Sequence, residues 1–181
     1  YGLMAKVRQK VPVVIGKGAL RIINATRQFF PNTPGFTRTI EIKNEKPIIL
    51  GPFTITPYLM DHSAYDAYAY LIEANGKKVF YSGDFRSHGR KGKLFEKLLR
   101  NPPKDVDVLL MEGTTLSRSG FENKYLSEDD IKTIFINHFK AANGMTLIWT
   151  AGQNIDRLVS IYKACRKSGK KFIVDLYTTS I

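Results

Sequence analysis

The sequence holds one cysteine, Cys165, in 181 residues. A disulfide within the chain is therefore excluded, and so is a four-cysteine zinc site. A lone thiol fits a reducing, cytoplasmic setting. Cys165 falls in the amphipathic stretch 155–167 (IDRLVSIYKACRK) and reads as a small buried hydrophobe. No apolar run approaches the roughly 18 residues of a membrane span. The opening segment carries Lys6, Arg8 and Lys10 and lacks the apolar stretch of a signal peptide. It begins at Tyr1, which leads to the expectation that the polypeptide continues upstream. Internal repeats and low-complexity tracts are missing. So are Gly-x-Gly-x-x-Gly, P-loop and Gly-x-Ser-x-Gly patterns, which leaves nucleotide-cofactor and serine-hydrolase chemistry unsupported. Acidic residues are scarce: 16 against 28 basic ones, a net charge of +12. That excess favours polyanions, nucleic acid before an acidic membrane surface. A solvated basic surface is the plain alternative.

What is there reads as a mixture of strands and helices. Residues 11–16 (VPVVIG) form a short buried strand, and 18–30 have helical spacing with Ala19, Leu20 and Ile23 on one side. The turn cluster 31–35 breaks that helix. Residues 37–43 alternate as a strand with one buried face, and 52–60 are extended, with Pro57 placing them near a sheet edge or bulge. Asn75-Gly76 between 67–74 and 77–84 predicts a hairpin with a type I′ turn. A helix at 93–100 stops at Asn101-Pro102-Pro103, and 106–114 read as a central strand ending in a loop. Ser127 caps a helix that closes at Asn143-Gly144. Residues 146–150, a helix over 154–167 and 171–177 then predict a parallel βαβ unit. The polar stretch 115–126 marks a boundary between domains spanning 1–120 and 121–181.

The residues with chemistry sit at strand ends. Asp61-His62-Ser63 follows one extended run and Ser82-Gly83-Asp84 follows another. In one sheet, His62 and Asp84 would emerge together. An imidazole beside a carboxylate suits zinc, manganese or iron, and a carboxylate can bridge two ions. Each motif alone is more often structural. Glu112 ends an apolar strand, where a buried acid needs a partner. Arg86, His88, Arg90 and Lys91 crowd the loop after Asp84 and could clamp a phosphate backbone, or simply form an exposed basic loop. His138 lies mid-helix and reads as structural or exposed. Asn154 reads as a helix cap with Arg157 one turn in; Lys167, Lys170 and Lys171 add positive charge.

The order of DHS, hairpin, FYSGDF, helix and VLLMEGT resembles metallo-β-lactamase-fold nucleases of the ribonuclease J and β-CASP branch. The resemblance implies part of an αββα sandwich followed by the start of a parallel βαβ β-CASP-like domain. It implies two divalent ions, zinc or alternatively manganese, that activate water for in-line attack on phosphorus. His62 resembles the family's third metal-site histidine and Asp84 its bridging aspartate. Glu112 resembles the acid that precedes the inserted domain and orients a histidine near the scissile phosphate, so Asp84 and Glu112 are the implied catalytic residues. Ser63, Arg86, His88 and Arg90 would bind substrate, with Ser63 equally readable as a local turn hydroxyl. Single-stranded RNA is the implied partner, and no membrane is.

The family's His-x-His-x-Asp-His motif is absent, and Tyr1-Gly2-Leu3-Met4 resembles the residues directly after that motif. The later histidine motifs are absent too. The expectation is a catalytically incomplete fragment that binds metal weakly or not at all, with exposed sheet edges that favour oligomers. The competing readings are a metallo-β-lactamase-fold hydrolase of a small thioester or ester, and a non-catalytic RNA-binding subunit.

Overall fold

A computed structural model describes residues 11–30, 35–114 and 125–181. The opening Tyr1–Met4 segment, most of the 31–35 turn and most of the 115–126 boundary lie outside the described residues.

Strand β1 (Val13–Gly16) leads into helix α1 (Lys17–Phe29) and then strand β2 (Thr39–Ile42). β1 and β2 pair in parallel, with Val13 opposite Thr39. The 13-residue helix between the two supplies the long crossover that parallel pairing requires. Gly16 and Gly18 let the α1 N-terminus close on the side chains of Asp66 and Tyr65, which a Cβ at either glycine would strike. Asp66 uses that approach: its Oδ2 accepts the Ala19 N–H at 3.0 Å. A carboxylate there satisfies a donor that the helix leaves open and matches its positive end.

The second sheet has five strands in the order β3-β4-β5-β6-β7. They are β3 (Ile48–Leu50), β4 (Phe53–Leu59), β5 (Tyr68–Ala74), β6 (Lys77–Tyr81) and β7 (Val108–Leu110). β3 to β6 are antiparallel neighbours. Asn75 and Gly76 both adopt positive φ, at 50° and 71°, so the hairpin turn forms as the sequence predicts. β3 covers only Phe53–Ile55 of β4, so among the described residues Pro57 has no strand on that side. β7 joins in parallel to β6 after helix α2 (Gly92–Arg100). Read as central from its apolar run, β7 is instead an edge strand among the described residues, and Leu109 is 57% exposed. Apolar content alone does not say which side of a strand will find a partner.

Met60, Ala69, Leu71 and Phe80 form the core beneath this sheet, packed by Phe95 and Leu98 of α2. A second core joins helices α3 (Glu128–Ala141) and α4 (Ile155–Lys167) through Phe139, Ile161, Ala164 and Cys165. Cys165 is buried, and that burial pushes its thiol pKa up, away from reactivity. Ser127 and Asp130 form a capping box on α3, and the Asn154 side chain accepts the Arg157 N–H on α4. Of the expected βαβ unit only the helix is assigned. Residues 146–150 and 171–175 are not paired as strands, and a strand exists only where a ladder partner does. Asp175 instead caps the short helix α5 (Leu176–Ser180), accepting the Thr178 N–H at 2.9 Å. Among the described residues no helix is long and apolar enough to cross a membrane.

Replacing Asp66 with Ala removes the α1 anchor. Urea denaturation should show a loss of about 1 kcal/mol, the usual cost of losing a helix-capping side chain.

Candidate metal centre

β4 and β6 both run antiparallel to β5, and β7 runs parallel to β6. The carboxyl ends of β4, β6 and β7 therefore share one end of the sheet. His62, Asp84 and Glu112 follow those three strands within a few residues. The topology brings the three sequence candidates to the same end of the sheet.

His62 is half-buried, and its Nδ1 accepts the Ala64 N–H at 3.1 Å. A neutral imidazole that accepts at Nδ1 carries its proton on Nε2. Ligation through Nε2 would move that proton to Nδ1 and give up the Ala64 bond. Asp84 is exposed. Its turn depends on Gly83, whose φ is +57° and whose Cβ, if present, would come within 2.9 Å of the Tyr68 carbonyl oxygen. Glu112 finds the partners that a strand-tip acid needs. Its Oε1 accepts the Phe85 N–H at 2.6 Å and its Oε2 accepts the Thr114 hydroxyl at 2.9 Å. The Glu112 N–H donates to Ser82 Oγ at 3.2 Å, and the Ser82 hydroxyl donates to the Gly83 carbonyl at 2.7 Å. Glu112 thus holds the backbone immediately after Asp84.

An imidazole and a free carboxylate fit a divalent ion such as zinc or manganese in kind. Among the described residues no cluster of three or more histidine, cysteine or acidic side chains forms a metal site. A complete centre needs further ligands.

The basic loop after Asp84 turns inward. Arg86 is only 12% exposed, and its guanidinium faces three carboxylates. Nε lies 3.6 Å from Asp61, Nη1 lies 3.7 Å from Glu128, and Nη2 donates to Asp156. Arg90 donates through Nη2 to Ser160 Oγ at 2.8 Å and through its backbone N–H to Asp156 at 3.1 Å. Arg157 lies 3.3 Å from Glu128, whose Oε2 accepts the Ser160 hydroxyl at 2.8 Å. The Arg86 and Arg157 guanidiniums thus face three carboxylates, and Arg90 ties in through Ser160 and Asp156, all drawn from the loops at the sheet end and the first turns of α3 and α4. Arg86 and Arg90, read from the sequence as a phosphate clamp or an exposed basic loop, turn their guanidiniums toward protein groups. Lys91 bends back as well, donating to the Tyr65 carbonyl at 2.6 Å. His88 stacks on Tyr125 at 5.4 Å between ring centroids, and its carbonyl accepts the Glu128 N–H. Burial pushes the His88 pKa down and neighbouring Arg86 pushes it further, against Asp61 and Glu128. Ser63 is half-buried beside His62, and His138 is exposed on α3.

Asp61 was missed as a functional candidate, as were Glu128, Asp156 and Ser160. Asp61 is fully buried; it accepts the Gly89 N–H at 2.7 Å, and its own carbonyl accepts the Arg86 N–H at 2.7 Å. Glu128 and Asp156 carried an ordinary signal, acids in the first turn of a helix. The usable hint was Arg86 and Arg90 four residues apart, needing partners.

A family model described as a beta-lactamase superfamily domain matches residues 2–152. Ribonuclease J of Helicobacter pylori (strain ATCC 700392 / 26695) is 28% identical over 137 residues, covering 74% of this chain and 19% of that protein. A crystal structure of a protein of unknown function from Enterococcus faecalis V583 superposes with a TM-score of 0.70 at 21% identity, over 88% of this chain and 43% of that one. The chain thus spans less than half the length of either relative.

Asp61→Ala should cost about 3–5 kcal/mol in urea denaturation, because it leaves buried Arg86 short of a counter-charge. His88 gives a second test, by pH. Its lowered folded-state pKa means that the unfolded chain binds the proton first as pH falls below about 6.5. Stability from this group should be complete above that pH and decline below it, through the folded-state pKa. In His88→Phe, which keeps the stack on Tyr125, melting temperatures measured across this range should lose that part of the slope.

Proposed function

The chain belongs to the beta-lactamase superfamily, a superfamily of hydrolases, and on that premise we propose that its parent protein is a metal-dependent phosphodiester hydrolase acting on single-stranded RNA. The observation that carries this reading is the convergence of His62, Asp84 and Glu112 on one end of one sheet. Members of the superfamily usually bind divalent metals. In this proposal His62 and Asp84 hold zinc or manganese together with ligands outside the described residues. The metal, when bound, polarises the phosphate and lowers the pKa of water. Glu112 keeps the Asp84 turn fixed through the Phe85 N–H. Ser63 stands next to His62, where a hydroxyl can donate to a phosphate oxygen.

RNA is favoured over a small ester by the net charge of +12 and by the similarity to Ribonuclease J. Cytoplasmic RNA processing or decay is the setting that this reading implies. The exposed apolar edge of β7 supports self-association through strand pairing.

The test is cleavage of labelled single-stranded RNA by the full-length polypeptide with zinc or manganese, wild type beside Asp84→Ala. Metal-dependent cleavage that falls at least about a hundredfold in the variant is expected, in line with a loss of roughly 3 kcal/mol of transition-state stabilisation. RNA retained without cleavage would replace this reading with a non-catalytic RNA-binding subunit. Neither cleavage nor retention would replace it with a small-molecule hydrolase.

A further inference from the structure

We infer that Arg86 is a positioning residue that couples the docking of the α3–α4 helix pair to the geometry of both candidate ligand loops. One guanidinium reaches three carboxylates from three parts of the chain. Asp61 immediately precedes His62; Glu128 opens α3; Asp156 lies in the first turn of α4. Arg86 itself lies two residues after Asp84, and its N–H donates to the Asp61 carbonyl at 2.7 Å. The His62 loop and the Asp84 loop are therefore joined to each other by a backbone bond and to the helices through one side chain.

The connection is continuous. Asp61 accepts the Gly89 and Lys91 N–H groups at 2.7 and 3.4 Å, which folds the 86–91 loop over the end of β4. Asp156 accepts the Arg90 N–H, and the Glu128 N–H donates to the His88 carbonyl. Gly89 lies against both Asp61 and Arg86, and a Cβ there would strike them. The site is built for fit, yet Arg86 Nε is buried without a hydrogen-bond partner, at 3.6 Å from Asp61. A guanidinium left one donor short is held by competing carboxylates and not by a single ideal pair. Withdrawing the helix carboxylates would strand it on Asp61 alone and shift the loop that ends at Asp84.

A lysine cannot replace this residue. Its ammonium is a point charge without the planar fork that faces three partners at once. The role also differs from substrate binding, because the donors of Arg86 already point at the protein.

The catalytic half of this inference rests on the function proposed above; the structural half does not. The experiment uses the full-length polypeptide with Asp156→Asn, which keeps shape and removes one charge, and Arg86→Lys. Hydrogen exchange of the metal-free protein is read at 61–64 and 84–91 against the β5–β6 amides as internal control. Exchange at least about tenfold faster in the two loops, with the control unchanged, is expected in both variants. Unchanged loops, or equal acceleration of the control, would overturn the inference whether or not RNA is cleaved. Where wild type cleaves RNA, kcat should fall about tenfold with KM unchanged. A rise in KM alone would make Arg86 a substrate contact and overturn the positioning role. Wild type without cleavage defeats the proposed function, and loop exchange then decides the inference by itself.

Discussion

A guanidinium taken out of water must be surrounded by counter-charge, and Arg86 is the group on which this constraint falls hardest. Dehydrating an ion costs several kcal/mol even after the protein relaxes. Asp61 alone would not complete the set, since Asp61 also serves the Gly89 amide. The helices α3 and α4 bring the other two carboxylates; Arg157 then pairs with Glu128, and the Arg90 backbone N–H donates to Asp156. Each charge in the cluster is tolerable only because the others are present. The apolar core of α3 and α4 contributes most of that pair's own cohesion, through Phe139, Ile161 and Ala164. The ionic cluster contributes something the core does not: it fixes where the pair sits relative to the strand ends.

Backbone architecture was legible where local chemistry decides it. The Asn75-Gly76 turn, the Ser127 cap, the Asn154 cap and the burial of Cys165 each follow from one or two residues acting alone. The pattern of strands with chemistry at their tips put His62 and Asp84 at one sheet end if their strands shared a sheet, and they do. Glu112 joins that end through the parallel β7, which its own segment did not reveal. What was not legible depends on distant partners. Whether β7 is central or an edge depends on a neighbour that its own residues do not encode. Residues 146–150 and 171–175 have strand composition without a ladder. The roles of Arg86 and Arg90 turned on Glu128 and Asp156, the latter 70 residues beyond Arg86 along the chain. A basic loop looks the same in sequence whether it faces water or a carboxylate.

Two glycine-bearing approaches show one physical theme. Gly16 and Gly18 let Asp66 reach the start of α1, and Gly89 lets Asp61 reach the loop after Asp84. In both places the missing side chain makes room for a carboxylate that accepts backbone N–H groups. A strand followed by Gly-Lys-Gly and a helix is the outline of an anion-binding turn. Here the position is filled by the protein's own Asp66, so an external phosphate would have to displace a covalently tethered competitor.

The two-residue turn at Asn75-Gly76 has a practical consequence. It is exposed, a Cβ on Gly76 would meet nothing within 4 Å, and it joins β5 to β6 at the end of the sheet opposite His62 and Asp84. Loop tips of this kind accept insertions readily. A fluorophore, affinity handle or guest domain grafted there would report on the molecule from its far pole, leaving the ionic cluster and the candidate ligand loops out of reach of the graft.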